Sequence, residues 1–293
     1  MKLLTFERDG VPGAGLLDGN EIVVCETGAA ARLAVRRIAE GDAELLDAWK
    51  TKAANGAERL SQSDVTILAP LPETRRDIFC VGKNYREHAS EFHNSGFDSG
   101  GKQAIPVAPV IFTKSLSAII GPGATIEAGL DRTRTVDYEG ELGVVIGKRA
   151  FGVSKADAMD YVFGYVVIND VTSRELQRHH SQWVIGKGID TFAPVGPVLV
   201  TADEVPDVTR LTVTTTVNGE TRQKASVADL IFDIPTLIET MTATMTLLPG
   251  DIIATGTPAG VGIGFDPPRY LADGDRVAVT IDGLGTLENP VRQ

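Results

Sequence analysis

Past the break Leu68-Ala-Pro-Leu-Pro72 the sequence falls into short Val- and Ile-rich runs divided by glycine, Asn-Gly or Asp-Gly, and this rhythm limits the fold more than any other feature. The runs cover residues 77–81, 110–112, 142–146, 161–168, 195–201, 211–217, 252–255 and 277–281. Each is short for a helix, and β-branched side chains pack well on a pleated surface, so each is predicted as a strand. One helix is predicted among them, over about 234–247: Asp233 can cap it, Pro235 suits its first turn and Pro249-Gly250 ends it. Its Ile234, Leu237, Ile238, Met241 and Met245 form an apolar face, the methionines acting as core filling.

Ahead of the break, residues 1–24 alternate apolar and polar around Asp9-Gly10 and Asp18-Gly19-Asn20, the mark of hairpins. Residues 29–60 then carry Leu33, Val35, Ile38, Leu45 and Leu46 at roughly helical spacing, which predicts one or two helices. Pro70 and Pro72 resist both helix and central strand, so the domain boundary is placed there. Residues 1–68 are expected as a small N-terminal α/β domain and 69–293 as the larger unit, giving a mainly β fold with some α, an α+β arrangement.

With 43% hydrophobic residues among 293, the chain can bury a substantial core. It has 28 Lys and Arg against 39 Asp and Glu, a formal net charge of −11, which argues against nucleic acid or an anionic membrane surface as partner. A small metabolite is the partner expected. The start MKLLTFERDG lacks the apolar core of a secretion signal, and no stretch approaches the ~20 apolar residues that span a bilayer, so a cytoplasmic location is expected. Cys25 and Cys80 have neither CxxC nor Cys/His spacing and read as two buried thiols rather than a disulfide or zinc site.

The segment Thr135-Val-Asp-Tyr-Glu139-Gly-Glu141 leads into the apolar run that ends at Ile146. Residues i and i+2 of a strand face the same way, so Glu139 and Glu141 project side by side, which is costly unless a cation or a proton lies between them. A hard divalent ion with oxygen ligands resolves that repulsion, and Asp170, at the end of the next run, completes a cage of three. The alternative is that all three are solvated strand ends. In Lys83-Asn-Tyr-Arg-Glu-His88-Ala-Ser-Glu91, His88 and Glu91 stand one helical turn apart, where a carboxylate can orient an imidazole that takes a proton from water. The same spacing also describes an ordinary surface pair. Residues 92–106, with Gly96, Gly100 and Gly101 and little apolar content, read as a lid.

Basic groups follow. Arg174, beside Gln177, suits a carboxylate through its planar fork, and Lys187 between Gly186 and Gly188 can neutralise an anionic substrate or simply be a solvated loop charge. Adjacent His179 and His180 point apart in an extended segment and are not read as ligands. The loop from Ala254 to Gly264 is glycine-rich, but neither GxxxxGK[ST] nor GxGxxG is present, so a nucleotide site is unsupported. Its N–H groups, with the hydroxyls of Thr255 and Thr257, would suit a carboxylate. A reading of another class keeps the acidic cluster as a structural cation site in a ligand-binding protein without turnover.

Taken in order, GKNYREHASEF, DYEGELGVVIGK, GYVVINDVTSRELQ, GKGIDTFAPVGP and GDIIATGTPAGVG resemble the signatures of the fumarylacetoacetate hydrolase family over roughly residues 70–290. The resemblance implies a twisted β-roll core, a homodimer, and Mg²⁺ or Mn²⁺ held by Glu139, Glu141 and Asp170. It implies His88 and Glu91 as the water-activating dyad, Lys187 as a catalytic group near the metal, and Arg174, Gln177, Thr257 and Tyr85 as substrate contacts. The expected activity is hydrolytic C–C cleavage of a β-diketo or 2-oxo acid resembling an acylpyruvate or fumarylacetoacetate. Decarboxylation of oxaloacetate and isomerisation of an unsaturated 2-hydroxy diacid are the alternatives, because fold and metal do not choose among them.

Overall fold

The computed structural model describes residues 1–97 and 103–293. Of the expected lid, residues 98–102, with Gly100 and Gly101, lie outside the described residues. All eight runs named above form strands, and the fold is mostly β with few helices, arranged as an open mixed sheet.

The largest sheet runs in the order Arg59–Ser61, Glu21–Thr27, Val11–Asp18, Lys2–Arg8, Ala193–Thr201, Val162–Asn169, Gly140–Ile146, Ile252–Ala254, Ile78–Gly82, Val110–Lys114. The amino-terminal hairpins join it directly, because Lys2–Arg8 pairs antiparallel with Ala193–Thr201, Leu3 lying opposite Leu199. The helices Ala31–Ala39 and Ala43–Ala54 cover this end, where Val35, Ile38 and Trp49 are buried. A second sheet orders Glu220–Ser226, Thr212–Val217, Arg276–Ile281, Gly285–Arg292 and Ile126–Glu127. Val144 and Ile146 of the first sheet share a core with Val213, Val279 and Ile281 of the second, so the two sheets sandwich one apolar layer.

Past the break the structure adds the helix Arg86–Asn94 and the strand Gly285–Arg292 to the elements expected, and two further departures have physical causes. The helix expected over 234–247 spans only Ile234–Thr242, capped by Asp233, which accepts from Thr236 N at 2.9 Å. It stops because the Thr242 carbonyl accepts from Gly152 N instead of continuing the helical ladder, which leaves Met245 beyond its end, packed against the core. Glu220–Ser226 was not among the runs because it is an edge strand with a solvated face, and its sequence ETRQKAS carries no apolar signature. No helix among the described residues is long and apolar enough to cross a membrane.

Candidate active site

Register builds the acidic centre. Gly140–Ile146 pairs with Val162–Asn169 so that Gly140 faces Asn169 and Glu141 faces Ile168. Glu139 lies one residue ahead of the strand rather than inside it, and this sets it beside Asp170, whose N–H donates to the Glu139 carbonyl at 2.8 Å. Glu139 N in turn donates to Asn169 Oδ1 at 3.0 Å. One carboxylate oxygen from each of Glu139, Glu141 and Asp170 lies within 4.8 Å of the others, and all three residues are buried.

Cations hold two of these acids. Lys187 donates to Glu139 Oε2 at 2.8 Å and to Asp170 Oδ2 at 2.7 Å. Arg174 Nη1 lies 2.6 Å from Glu139 Oε1, and its Nε donates to Asp137 Oδ2 at 2.9 Å. Burial alone would raise the Glu139 pKa, but Lys187 and Arg174 outweigh it and hold the group at about 2. Glu141 moves the other way: burial first, then the charges of Asp170 and Glu139, push it well above the ordinary carboxylate range. Its hydrogen bond from Gly256 N, at 2.7 Å, and the charge of Lys187 only partly oppose this. A desolvated carboxylate facing two others is relieved by a positive charge, and an all-oxygen donor set suits a hard divalent ion. The three acids therefore fit a metal.

The second group lies across a narrow cavity lined by Glu139, Glu141, His88, Arg174, Gln177, Lys187 and Thr257, with Phe92 and Trp183 as its aromatic lining. His88 and Glu91 sit on the helix Arg86–Asn94 with His88 Nδ1 3.2 Å from Glu91 Oε2. Glu91 is fixed from behind, because its Oε1 accepts from Gly260 N at 3.0 Å. Arg174 Nη2 is buried and has no hydrogen-bond partner among the described residues, an orphan donor on a side chain that lines the cavity. Tyr85 does not line this cavity. It bridges Leu230 and borders a separate surface hollow with Pro258 and Ala259, and burial followed by the charges of Glu141 and Asp229 raises its pKa.

The glycine-rich loop works inward. Its Gly256 and Gly260 N–H groups go to Glu141 and Glu91, while Gly262 and Ile263 donate to the two oxygens of Asp137 at 2.6 and 3.0 Å. The N–H groups of Gly256, Gly260, Gly262 and Ile263 are thus taken by the protein's own carboxylates, and the Thr255 hydroxyl by the Leu142 carbonyl. Thr257 Oγ1 donates to Gly140 O at 3.0 Å and accepts from Gln223 Nε2 at 2.7 Å, so its proton is committed to the scaffold. Gly264 packs so closely on the dyad that a Cβ there would lie 1.9 Å from Glu91 Oε1. Gly186 is needed for a similar reason: a Cβ would come within 2.5 Å of Gln177 N, blocking the approach of the short helix Val184–Lys187 that delivers Lys187. His179 and His180 stay exposed.

Three supporting residues were not singled out from sequence: Lys114, Asp137 and Gln223. Asp137 did carry a signal, standing two residues before Glu139 in the same alternating segment, and Lys114 is a cation closing an apolar strand.

Comparison with known proteins agrees with this geometry. Residues 77–292 match the family model of the fumarylacetoacetate (FAA) hydrolase C-terminal domain. Oxaloacetate tautomerase YisK of Bacillus subtilis (strain 168) is 48% identical over 261 residues, covering 87% of this chain and 84% of that protein. The structure of fumarylacetoacetate hydrolase from psychrophilic Exiguobacterium antarcticum matches with a TM-score of 0.83 at 39% identity, covering 100% of this chain and 99% of that one. Maleylpyruvate hydrolase from Sphingobium sp. SYK-6, in complex with manganese(II) ion and pyruvate, matches with a TM-score of 0.79 at 33% identity, covering 100% and 99%. These relatives are enzymes, and one of them holds a metal. The chain belongs to the fumarylacetoacetate hydrolase family.

Proposed function

We propose that this protein is a Mg²⁺- or Mn²⁺-dependent enzyme that moves a proton between the enol and keto forms of a short 2-oxo dicarboxylate such as oxaloacetate. The observation that carries the reading is one small cavity lined at once by two carboxylates of the acidic cluster and by a carboxylate-oriented histidine. The relative named an oxaloacetate tautomerase supports the same substrate class.

A divalent cation held by Glu139, Glu141 and Asp170 would supply Lewis acidity to a 2-oxo-carboxylate. The chain's own groups do the rest. Arg174 offers its buried, unpartnered Nη2 to an anionic substrate oxygen as an electrostatic anchor. Lys187 remains charged, since Asp170 and Glu139 outweigh the effect of its burial, and it keeps those carboxylates in place. His88, held by Glu91, takes the proton of the enol oxygen and delivers it to C3, or carries it back in the reverse direction, so the substrate's composition and the histidine's charge are unchanged over the cycle. Phe92 and Trp183 shield the transfer from bulk water.

Hydrolytic C–C cleavage, expected from the sequence, remains the second reading because the His88–Glu91 pair equally suits taking a proton from water. The two are separated by products. With Mg²⁺ or Mn²⁺ present, loss of oxaloacetate enol absorbance should accelerate with neither CO₂ release nor a shorter acid. Conversion of acetylpyruvate or fumarylpyruvate to pyruvate and a second acid, with no effect on oxaloacetate, would replace the tautomerase by the hydrolase. If chelation lowers the melting temperature and no oxo acid is altered after metal is restored, the site is a binding site without turnover.

A further inference from the structure

We propose that Lys114 limits Asp170 to a single ligand oxygen and so biases the carboxylate centre toward Mg²⁺ or Mn²⁺ and against Ca²⁺. The inference rests on the reading of Glu139, Glu141 and Asp170 as the cation ligands. Lys114 closes the strand Val110–Lys114 and is fully buried. Its ammonium donates to Val171 O at 2.9 Å and to Lys187 O, and lies 2.7 Å from Asp170 Oδ1. On the other side of the same carboxylate, Lys187 Nζ lies 2.7 Å from Oδ2.

Each oxygen of Asp170 therefore already faces an ammonium. A divalent ion gripped by Glu139 and Glu141 can share one of these oxygens with its lysine. Reaching both would set the ion against two positive charges in a buried site where screening is weak. Small octahedral Mg²⁺ loses nothing by that restriction, whereas Ca²⁺ takes 6–8 oxygens and commonly draws both from one carboxylate. Lys187 is engaged with Glu139 as well, but among the described residues Asp170 is the one carboxylate paired with Lys114. By also holding Val171 O and Lys187 O, Lys114 ties the backbone beside Asp170 to the helix end that presents Lys187, and this fixes its ammonium beside the carboxylate. Lys114 is in this sense a positioning residue that acts through a ligand.

The test is calorimetric titration of the full chain with Mn²⁺ and with Ca²⁺, for the wild type, Lys114→Met and Lys114→Gln, together with a crystal structure of the Mn²⁺-loaded wild type. The wild type should prefer Mn²⁺, the ratio of the two dissociation constants should shrink about tenfold or more in both variants, and the crystal should show Asp170 donating one oxygen. A purely structural lysine would weaken both ions together and leave the ratio where it was. An unchanged ratio, or Asp170 donating both oxygens to Mn²⁺, overturns the role of Lys114 while leaving the metal centre standing. Failure of the wild type to bind either ion overturns both. The crystallographic arm decides the matter even if neither variant folds.

Discussion

Residues 1–68 and the surroundings of the acidic cavity use the same kind of ion pair in opposite settings. Arg8 and Glu58 meet at 2.9 Å with side chains 47% and 59% exposed, and Arg59 reaches Asp18 and Glu21 in similar fashion. Arg174 and Asp137 meet at the same 2.9 Å with side chains 1% and 0% exposed. The separation is shared, and the solvent is not. An exposed pair gains little over its hydrated ions, whereas a buried one has lost that hydration and needs good geometry and further hydrogen bonds to offset the loss. Asp137 meets that demand with Arg174 Nε and the N–H groups of Tyr138, Gly262 and Ile263. Apolar packing of similar volume would often serve stability as well as such a network does, so the concentration of buried charge around one cavity marks where the fold answers to chemistry.

The largest effect should follow from breaking the buried pair. Asp137→Ala removes one of the two carboxylates paired with the buried Arg174 guanidinium, together with the acceptor of the Gly262 and Ile263 N–H groups, and frees the loop that carries Gly260 to Glu91, so it should lower stability by about 3–5 kcal/mol in chemical denaturation. A midpoint unchanged from the wild type would erase the contrast between the two regions. Next comes the pair of intermediate burial, His88 with Glu91, whose side chains are 6% and 17% exposed. His88→Ala should slow turnover about 10²- to 10⁴-fold while Mn²⁺ affinity, read by calorimetry, is unchanged. Loss of metal binding in that variant would mean that the dyad and the carboxylate cluster are one unit and not two groups sharing a cavity.

How much of this was readable in the chain depends on the range over which each feature acts. Strands in the Val- and Ile-rich runs are local, and all eight were legible; the polar edge strand Glu220–Ser226 was not, because an edge need not hide one face. Glu139, Glu141 and Asp170 were legible as acids at the ends of apolar runs, where charge is out of place. Their supports were not. Lys114 bonds a carbonyl 57 residues away and Gly262 reaches Asp137 across 125, distances set by strand register, which the period of the hydrophobic pattern does not encode. The glycine loop shows the same gap: composition reveals that its N–H groups are available, but only the folded chain shows that Glu141, Glu91 and Asp137 accept them.

The smallest effect should come from the exposed pair, and it is the control on which the contrast depends. Arg8 ends the strand Lys2–Arg8, and its guanidinium leaves the sheet to reach Glu58 through water-accessible space. Both partners remain hydrated when apart, so Arg8→Ala should change stability by only about 0–1 kcal/mol, and even that should shrink as salt is raised. Denaturation of the variant at low and high ionic strength measures both. A loss approaching that of Asp137→Ala, or one indifferent to salt, would show that burial does not separate the two pairs. The concentration of charge at the cavity would then lose its meaning as a mark of function.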